Sequence, residues 1–290
     1  MTLRVSVAGL GRAGRAVLSE CLGADGVEVV GAWNRSPVGP LPLAEILGAR
    51  LAVGGAVPPS AHQDCDLLLL AVSDRAVPAV AGLLSPPSDA AVVHLSGAAD
   101  VSLLDPLPSG SPGCWHPLQA FASGRPPEGA PPYAVALQGS PLALRHGRAL
   151  AELLGHPSAE LAADGRAAYH ASAVLASNCL VALQSSAVRV MQRAGVDAEQ
   201  SWELLWPLVA GTLTNLSSGP VPGTLTGPVA RGDVPTVKRN LAAIEGDDKA
   251  TASYIALGAE AVRLARLQGL DEGAADVLDE LFACPRAEGD

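Results

Sequence analysis

The chain opens on Leu3-Arg4-Val5-Ser6-Val7-Ala8, a β-branched run that feeds directly into Gly9-Leu10-Gly11-Arg12-Ala13-Gly14 and then into an apolar, helix-like segment from Arg15 to Leu22. A strand, a Gly-x-Gly-x-x-Gly turn and a helix in that order admit few architectures. Gly9 allows the tight turn, Gly11 lets backbone approach a pyrophosphate, and Gly14 lets the helix pack close to the strand. The unsatisfied N–H groups and the positive dipole end at the helix start make an anion site. The expectation is a dinucleotide site built from Gly9, Leu10, Gly11, Arg12, Ala13 and Gly14.

The next strand candidate, Val27 to Trp33, ends in Asn34-Arg35-Ser36. This tip lies where a carboxylate would bind the ribose 2′-hydroxyl of NAD, about 20 residues beyond the glycines. No carboxylate is present. Arg35 offers a planar fork suited to a phosphate, and Asn34 and Ser36 add neutral hydrogen bonds, so the pattern points to NADP. Arg12 is a second candidate phosphate contact.

Further along, Asp66 to Val72 and Ala91 to Gly97 are nearly continuous apolar runs, as strands buried on both faces require. A helix-like segment runs from Ala76 to Leu84. A Pro/Gly-rich stretch from Pro106 to Pro132 is too broken for regular elements except around Gly113 to Phe121. Tyr133 to Leu137 and Pro141 to Leu154 supply a last strand and helix. From Asp164, a candidate N-cap, the pattern is helical only. The first helix, Gly165 to Arg193, is apolar nearly all round, which predicts burial at the centre of a domain or of a dimer. Others are expected near Ala198–Leu216, Val234–Glu245, Ala250–Leu267 and Asp271–Phe282. The expected architecture is α/β: a parallel-sheet, dinucleotide-binding domain over residues 1–160 and an all-helical substrate and dimerisation domain over 161–290.

At 290 residues the chain is long enough for two cores. A net charge of −10 without a basic run argues against a nucleic-acid face. Cys21, Cys65, Cys114, Cys179 and Cys284 are scattered and odd in number, which indicates neither a disulfide framework nor a zinc site. Leu3 already begins a strand, so no leader is expected. No uncharged apolar run reaches spanning length, and the expected location is the cytoplasm. Lys238 and Lys249 are the only lysines.

In open α/β sheets substrate and cofactor meet at the carboxyl ends of the strands. Val72 and Ser73 are placed on the nicotinamide side, Ser96 and Gly97 end the next strand, and His116 lies in Cys114-Trp115-His116-Pro117-Leu118-Gln119. Hydride reduction of a carbonyl needs a proton donor at oxygen, and His116 is the best candidate. Ser96 is a candidate to orient it or to bind substrate. His62, His94, His146 and His156 read as ordinary surface or strand residues. On the long helix, His170, Val174 and Asn178 are spaced i, i+4, i+8 and so share a face, with the outer two roughly 12 Å apart at about 1.5 Å per residue. An amide on an apolar helix is costly unless paired, which marks Asn178. In the loop Gly223 to Asp233, Arg231 is a candidate to hold a carboxylate and Asp233 is expected to cap the next helix, with Pro235 in its first turn.

Taken together, the glycine turn, Asn34-Arg35-Ser36, His94-Leu95-Ser96-Gly97, His116-Pro117-Leu118-Gln119, Ala176-Ser177-Asn178 and Leu225-Thr226-Gly227-Pro228-Val229-Ala230-Arg231-Gly232-Asp233 resemble a known family. It is the Rossmann-like family with a helical C-terminal domain of unknown function, labelled as NADP- or F420-dependent oxidoreductases. The family is similar in kind to 6-phosphogluconate, β-hydroxyacid, ketopantoate and pyrroline-carboxylate dehydrogenases, and some of its members are assigned as an alternative ketopantoate reductase. Arg35 favours NADP over F420. The Ser96 and His116-Pro117 pattern also resembles prephenate dehydrogenases, in which the histidine contacts the reacting end of the substrate. β-Hydroxyacid and ketopantoate reductases carry Lys-x-x-x-Asn on the long helix. Asn178 matches the asparagine, but Val174 stands at the lysine position, and Lys238 would have to replace it from another element. The resemblance implies an NADPH-dependent reductase of a small 2-oxo acid, ketopantoate first, and the apolar long helix suggests a homodimer through the helical domain. The alternatives are an imine reductase of the pyrroline-carboxylate type and a non-catalytic NADP(H)-binding regulator.

Overall fold

The computed structural model describes residues 2–37, 46–55, 57–58, 61–122, 129 and 131–283, and Cys284 lies outside them. Two compact units divide the chain, Met1–Ser177 and Asn178–Asp290.

The first unit is built on one sheet of eight strands: β1 (Leu3–Ala8), β2 (Val27–Asn34), β3 (Leu51–Val53), β4 (Leu67–Leu70), β5 (Ala91–His94), β6 (Ser111–Pro117), β7 (Val135–Gly139) and β8 (Ser158–Glu160). Their order is β3-β2-β1-β4-β5-β6-β7-β8. The first six are parallel neighbours in the doubly wound order, with the reversal between β1 and β4. β7 runs antiparallel to β6 and parallel to β8.

The apolar runs lie where two-sided burial requires them. Val5, Val7, Leu67, Leu69, Ala91 and Val93 pack on one face with Ala16, Val17 and Leu18 of α1 (Arg12–Gly23). Leu68, Leu70 and Val92 point to the other face, with Val77 and Ala81 of the short α2 (Val77–Ala81). Side chains alternate across a strand, so a Leu-Leu-Leu-Leu strand serves both layers at once. Ser140 caps α3 (Pro141–Leu153), accepting from the Ala143 N–H, and α3 covers the β1 side through Ala143 and Leu150. α4 (Arg166–Val174) ends the unit; its N-cap is Gly165 without a side-chain bond, so Asp164 does not cap it as expected. His62 and His94 are buried rather than superficial: His62 Nε2 accepts from the Ser85 N–H.

The second unit contains α5 (Leu180–Gln192), α6 (Ala198–Ser217), α7 (Val234–Ile244), α8 (Asp248–Leu267) and α9 (Glu272–Phe282). Its core joins Val237, Val262, Ala265, Ala275, Leu278 and Phe282 from α7, α8 and α9. Asp197, Asp233, Asp247 and Asp271 each accept a backbone N–H at the start of α6, α7, α8 and α9.

Two expectations about the long helix are corrected. It spans Arg166–Gln192 and, at a mean hydropathy of 1.4 over its best window, is long and apolar enough to cross a membrane by length and composition. None of that window is buried: Leu175 is 68% and Val181 70% exposed, so burial at the centre of a domain is not seen, and burial in a dimer is what is left of that expectation. Between α4 and α5 the backbone also widens into a π turn, Leu175–Cys179. A π turn adds one residue to the ladder, so His170, Val174 and Asn178 do not keep the i, i+4, i+8 register of an unbroken α-helix.

Candidate active site

At the carboxyl edge of β1 the glycine turn is fixed by close approach. Gly9 has φ +102° and its backbone lies against β4's exit, where a Cβ would come within 2.7 Å of the Ala71 carbonyl. A Cβ at Gly14 would collide with the Gly9 carbonyl, whereas one at Gly11 would meet nothing within 4 Å. Helix α1 starts at Arg12 with no side-chain cap and no acidic residue in its first turn. Its N–H donors therefore lack the oxygen that α3 and α6–α9 receive from Ser or Asp.

The tip of β2 is stitched to this turn. Leu10 donates its N–H to Asn34 Oδ1 at 2.9 Å, and Asn34 Nδ2 donates to the Ser36 carbonyl at 2.7 Å. Asn34 thus shapes the loop with both ends of its amide. Arg12, Arg35 and Ser36 are exposed beside it, Ala13 is half-buried, and Val72 and Ser73 follow β4 on the same edge. An uncapped helix start, open space over Gly11 and an exposed arginine at the β2 tip fit a dinucleotide with an added phosphate.

Two strands further on, the β5 and β6 exits converge. Ser96 is buried; its hydroxyl donates to Asp74 Oδ2 at 2.7 Å and accepts the Ala99 N–H at 3.0 Å. His94 Nδ1 accepts the Ser96 N–H, which leaves Nε2 to donate to the Asp100 carbonyl at 2.9 Å. Burial holds His94 below the ordinary imidazole range. Ser96 has no hydrogen bond to His116. The partner of His116 is Tyr169 on α4: its hydroxyl lies 2.6 Å from Nδ1, with the rings edge to face at 5.6 Å.

Over Gly97, two imidazoles meet. A Cβ on that glycine would come within 2.7 Å of His116 Nε2 and 3.1 Å of His170 Nδ1. His170 Nδ1 is buried with no protein partner. Burial, reinforced by the Arg166 guanidinium and by His170, pushes His116 down to about 4, so the ring is neutral at physiological pH. Burial pushes the Tyr169 phenol up to about 12.

Arg166, the first residue of α4, is only 4% exposed. Nε and Nη2 both donate to Gln138 Oε1, at 3.3 and 3.1 Å. The Gln138 amide nitrogen donates to the Ala162 and Ala163 carbonyls, which aims its oxygen at the guanidinium. Nη1 has no partner, and the cation lies 5.7 Å from the centre of the Tyr169 ring.

The first unit therefore brings Ser96, Gly97, His116 and His170 together at the carboxyl edge that also carries the glycine turn, and it adds Asp74, Arg166 and Tyr169. Neither Tyr169 nor Arg166 is among the sequence-level candidates; the only sequence signal for Arg166 is an arginine at the start of an apolar helix. Asn178 and Arg231 belong to the second unit, and both are exposed there, Asn178 within the π turn and Arg231 in the turn ahead of α7.

The doubly wound sheet followed by helices is the fold of several solved structures to which this chain is similar. Residues 133–261, from just before β7 into α8, match the family described as Domain of unknown function (DUF2520), in line with the sequence resemblance. No curated protein matches the chain. Protein TM1727 from Thermotoga maritima is 25% identical, covering 91% of this chain and 99% of its own at a TM-score of 0.73. BF3122 from Bacteroides fragilis, designated a candidate NADP oxidoreductase, is 16% identical over 96% of this chain and 98% of its own, TM-score 0.63. Plasmodium falciparum pyrroline carboxylate reductase, solved with NADP bound, is 12% identical over 97% of this chain and 98% of its own, TM-score 0.59.

Proposed function

We propose that this chain is an NADP(H)-dependent oxidoreductase that reduces a small 2-oxo acid, with ketopantoate as the first substrate to test. One observation carries the reading: the uncapped glycine turn of β1–α1 and the imidazole of His116 occupy the same carboxyl edge of one sheet. The backbone of Gly9 to Gly14 would hold the pyrophosphate, Arg35 and Ser36 the 2′-phosphate, with Arg12 beside them, and Val72 and Ser73 would line the nicotinamide side. The bound nicotinamide supplies hydride. His116 holds the proton for the carbonyl oxygen through Nε2, Ser96 with Asp74 fixes the β5 loop, and His170 closes the same space.

The exposed apolar residues of α5 and α6, with Trp202 40% and Trp206 50% exposed, support a homodimer through the helical unit. The cytoplasm, where NADPH is kept reduced, is the compartment assigned.

A second reading is favoured by one neighbour, the pyrroline carboxylate reductase: reduction of C=N, whose substrate arrives protonated. It also suits a neutral His116. Binding of NADPH and NADH to the wild type and to Arg35→Ala is the first test. A charge-assisted contact of about 1.5–3 kcal/mol makes the expected loss of NADPH affinity roughly 10- to 100-fold, with NADH little changed. NADPH oxidation with ketopantoate, other 2-oxo acids and cyclic imines follows. Loss of carbonyl turnover in His116→Ala supports the first reading, and retained imine turnover in that variant supports the second. Tight NADPH binding with no turnover across the panel leaves the non-catalytic regulator.

A further inference from the structure

We propose that Tyr169 is a positioning residue that feeds a proton through His116, and that the buried, unpaired Arg166 is the counter-charge for the phenolate this leaves. The proposal rests on the reductase reading of the site and adds the source of its proton.

The geometry assigns a direction to the 2.6 Å contact between the Tyr169 hydroxyl and His116 Nδ1. A phenol O–H is a far stronger donor than a neutral imidazole N–H, and an imidazole nitrogen accepts better than a phenol oxygen. The tyrosine therefore donates, Nδ1 accepts, and the ring proton sits on Nε2, the nitrogen that faces the space over Gly97. A neutral imidazole that gave up this proton alone would become imidazolate, which is prohibitive near neutral pH. With Tyr169 behind it, the ring passes a proton without accumulating charge. With a bound nicotinamide to supply hydride to the carbonyl carbon, the oxygen would take the Nε2 proton and Nδ1 would take the phenol proton. The products are alcohol, NADP⁺, neutral histidine and tyrosinate, and solvent returns the last proton.

Arg166 explains where that negative charge rests. A buried cation without a counter-ion is expensive, and an arginine cannot discharge itself. Among the described residues no carboxylate forms a salt bridge with it. Gln138 satisfies Nε and Nη2 with a neutral oxygen, and Nη1 stays free. A structural arginine would be expected to have an acid beside it. This one has a tyrosine ring at 5.7 Å whose hydroxyl already contacts the site imidazole.

The test is nitrogen-15 NMR of the histidine rings in the NADP⁺-saturated protein, read beside kinetics. In the wild type His116 is expected as the Nε2–H tautomer with Nδ1 accepting. In Tyr169→Phe the preference is expected to collapse to a mixture, with the melting temperature and NADP⁺ affinity close to wild type. An Nδ1–H tautomer in the wild type overturns the proposal, because the histidine would then be donating to the tyrosine. So does a tautomer indifferent to Tyr169→Phe.

On any substrate the wild type turns over, Tyr169→Phe is expected to lose roughly 10²- to 10³-fold in kcat, within the span of general acid catalysis, with KM little changed. The variant's rate should rise as pH falls, since solvent then protonates His116 directly, while the wild type stays flatter. Arg166→Lys should retain more activity than Arg166→Met at equal folded fraction; equal losses remove the counter-charge role. If the wild type turns over nothing, the reductase reading falls, and the tautomer still decides whether the pair is built to donate.

Discussion

Gly11 and Gly14 belong to one turn yet answer to different constraints. A methyl at 14 strikes the Gly9 carbonyl and comes within 2.9 Å of the Ala71 side chain, while one at 11 enters open space. Gly14→Ala should therefore lower stability by about 1–3 kcal/mol, the range for overpacking. Gly11→Ala should melt like the wild type and bind NADPH at least tenfold more weakly; melting curves beside cofactor titrations separate the two. His116 carries a second residue-scale consequence. Its folded-state pKa is about 4, against 6.5 for the free side chain. Between these values the unfolded chain takes up a proton that the folded chain refuses, so stability is full above about 6.5 and is lost as pH falls toward 4. One proton corresponds to a slope of at most about 1.4 kcal/mol per pH unit. As pH is lowered from 7 to 4, denaturant midpoints should fall less steeply in His116→Phe, and an unchanged slope would show that the imidazole titrates normally. His116 was legible because Pro117 and the strand before it mark a sheet exit locally. Its partner was not: Tyr169 stands 53 residues away, and only the antiparallel return of β7 and the start of α4 bring it there.

Among elements, α1 and the long helix show how far periodicity reaches. It predicted the helical extents closely, Gly165 to Arg193 against an observed Arg166–Gln192, because 3.6-residue patterning is a local property. The π turn at Leu175–Cys179 was not legible, since nothing in Leu-Ala-Ser-Asn-Cys distinguishes a wider turn from a regular one. The expectation of burial was read from composition, and composition does not say which chain does the burying. Leu204 and Leu208 of α6 are 62% and 68% exposed, beside Trp202 and Trp206. Val181→Glu combined with Leu204→Glu should convert a dimer into monomer, checked by light scattering across concentration, with the melting of the first unit unaltered. A wild type that is monomeric at every concentration would remove the assembly.

At the scale of the whole molecule, a parallel sheet was legible from alternating apolar runs and helices, whereas the 3-2-1-4-5-6 strand order and the three-residue β3 were not. Nor was the antiparallel β7, because pairing direction leaves no mark on a five-residue strand. That order gathers the loops proposed to hold cofactor and the side chains proposed to handle the proton within the first unit, so cofactor should protect that unit selectively. At 100 times its Kd, NADPH adds about 2.7 kcal/mol, visible as a rise in the first unit's melting temperature that NADH at equal concentration does not match. In Arg35→Ala the two cofactors should become nearly equivalent, and a persistent difference would move the phosphate contact to another residue. The uncovered tryptophans and leucines of α6 also govern how such a chain must be made. A copy leaving the ribosome presents this surface to chaperones and to other nascent chains before it meets its own kind. Yield of usable protein should then follow the local density of synthesis, and slow, cool expression should favour assembly over capture.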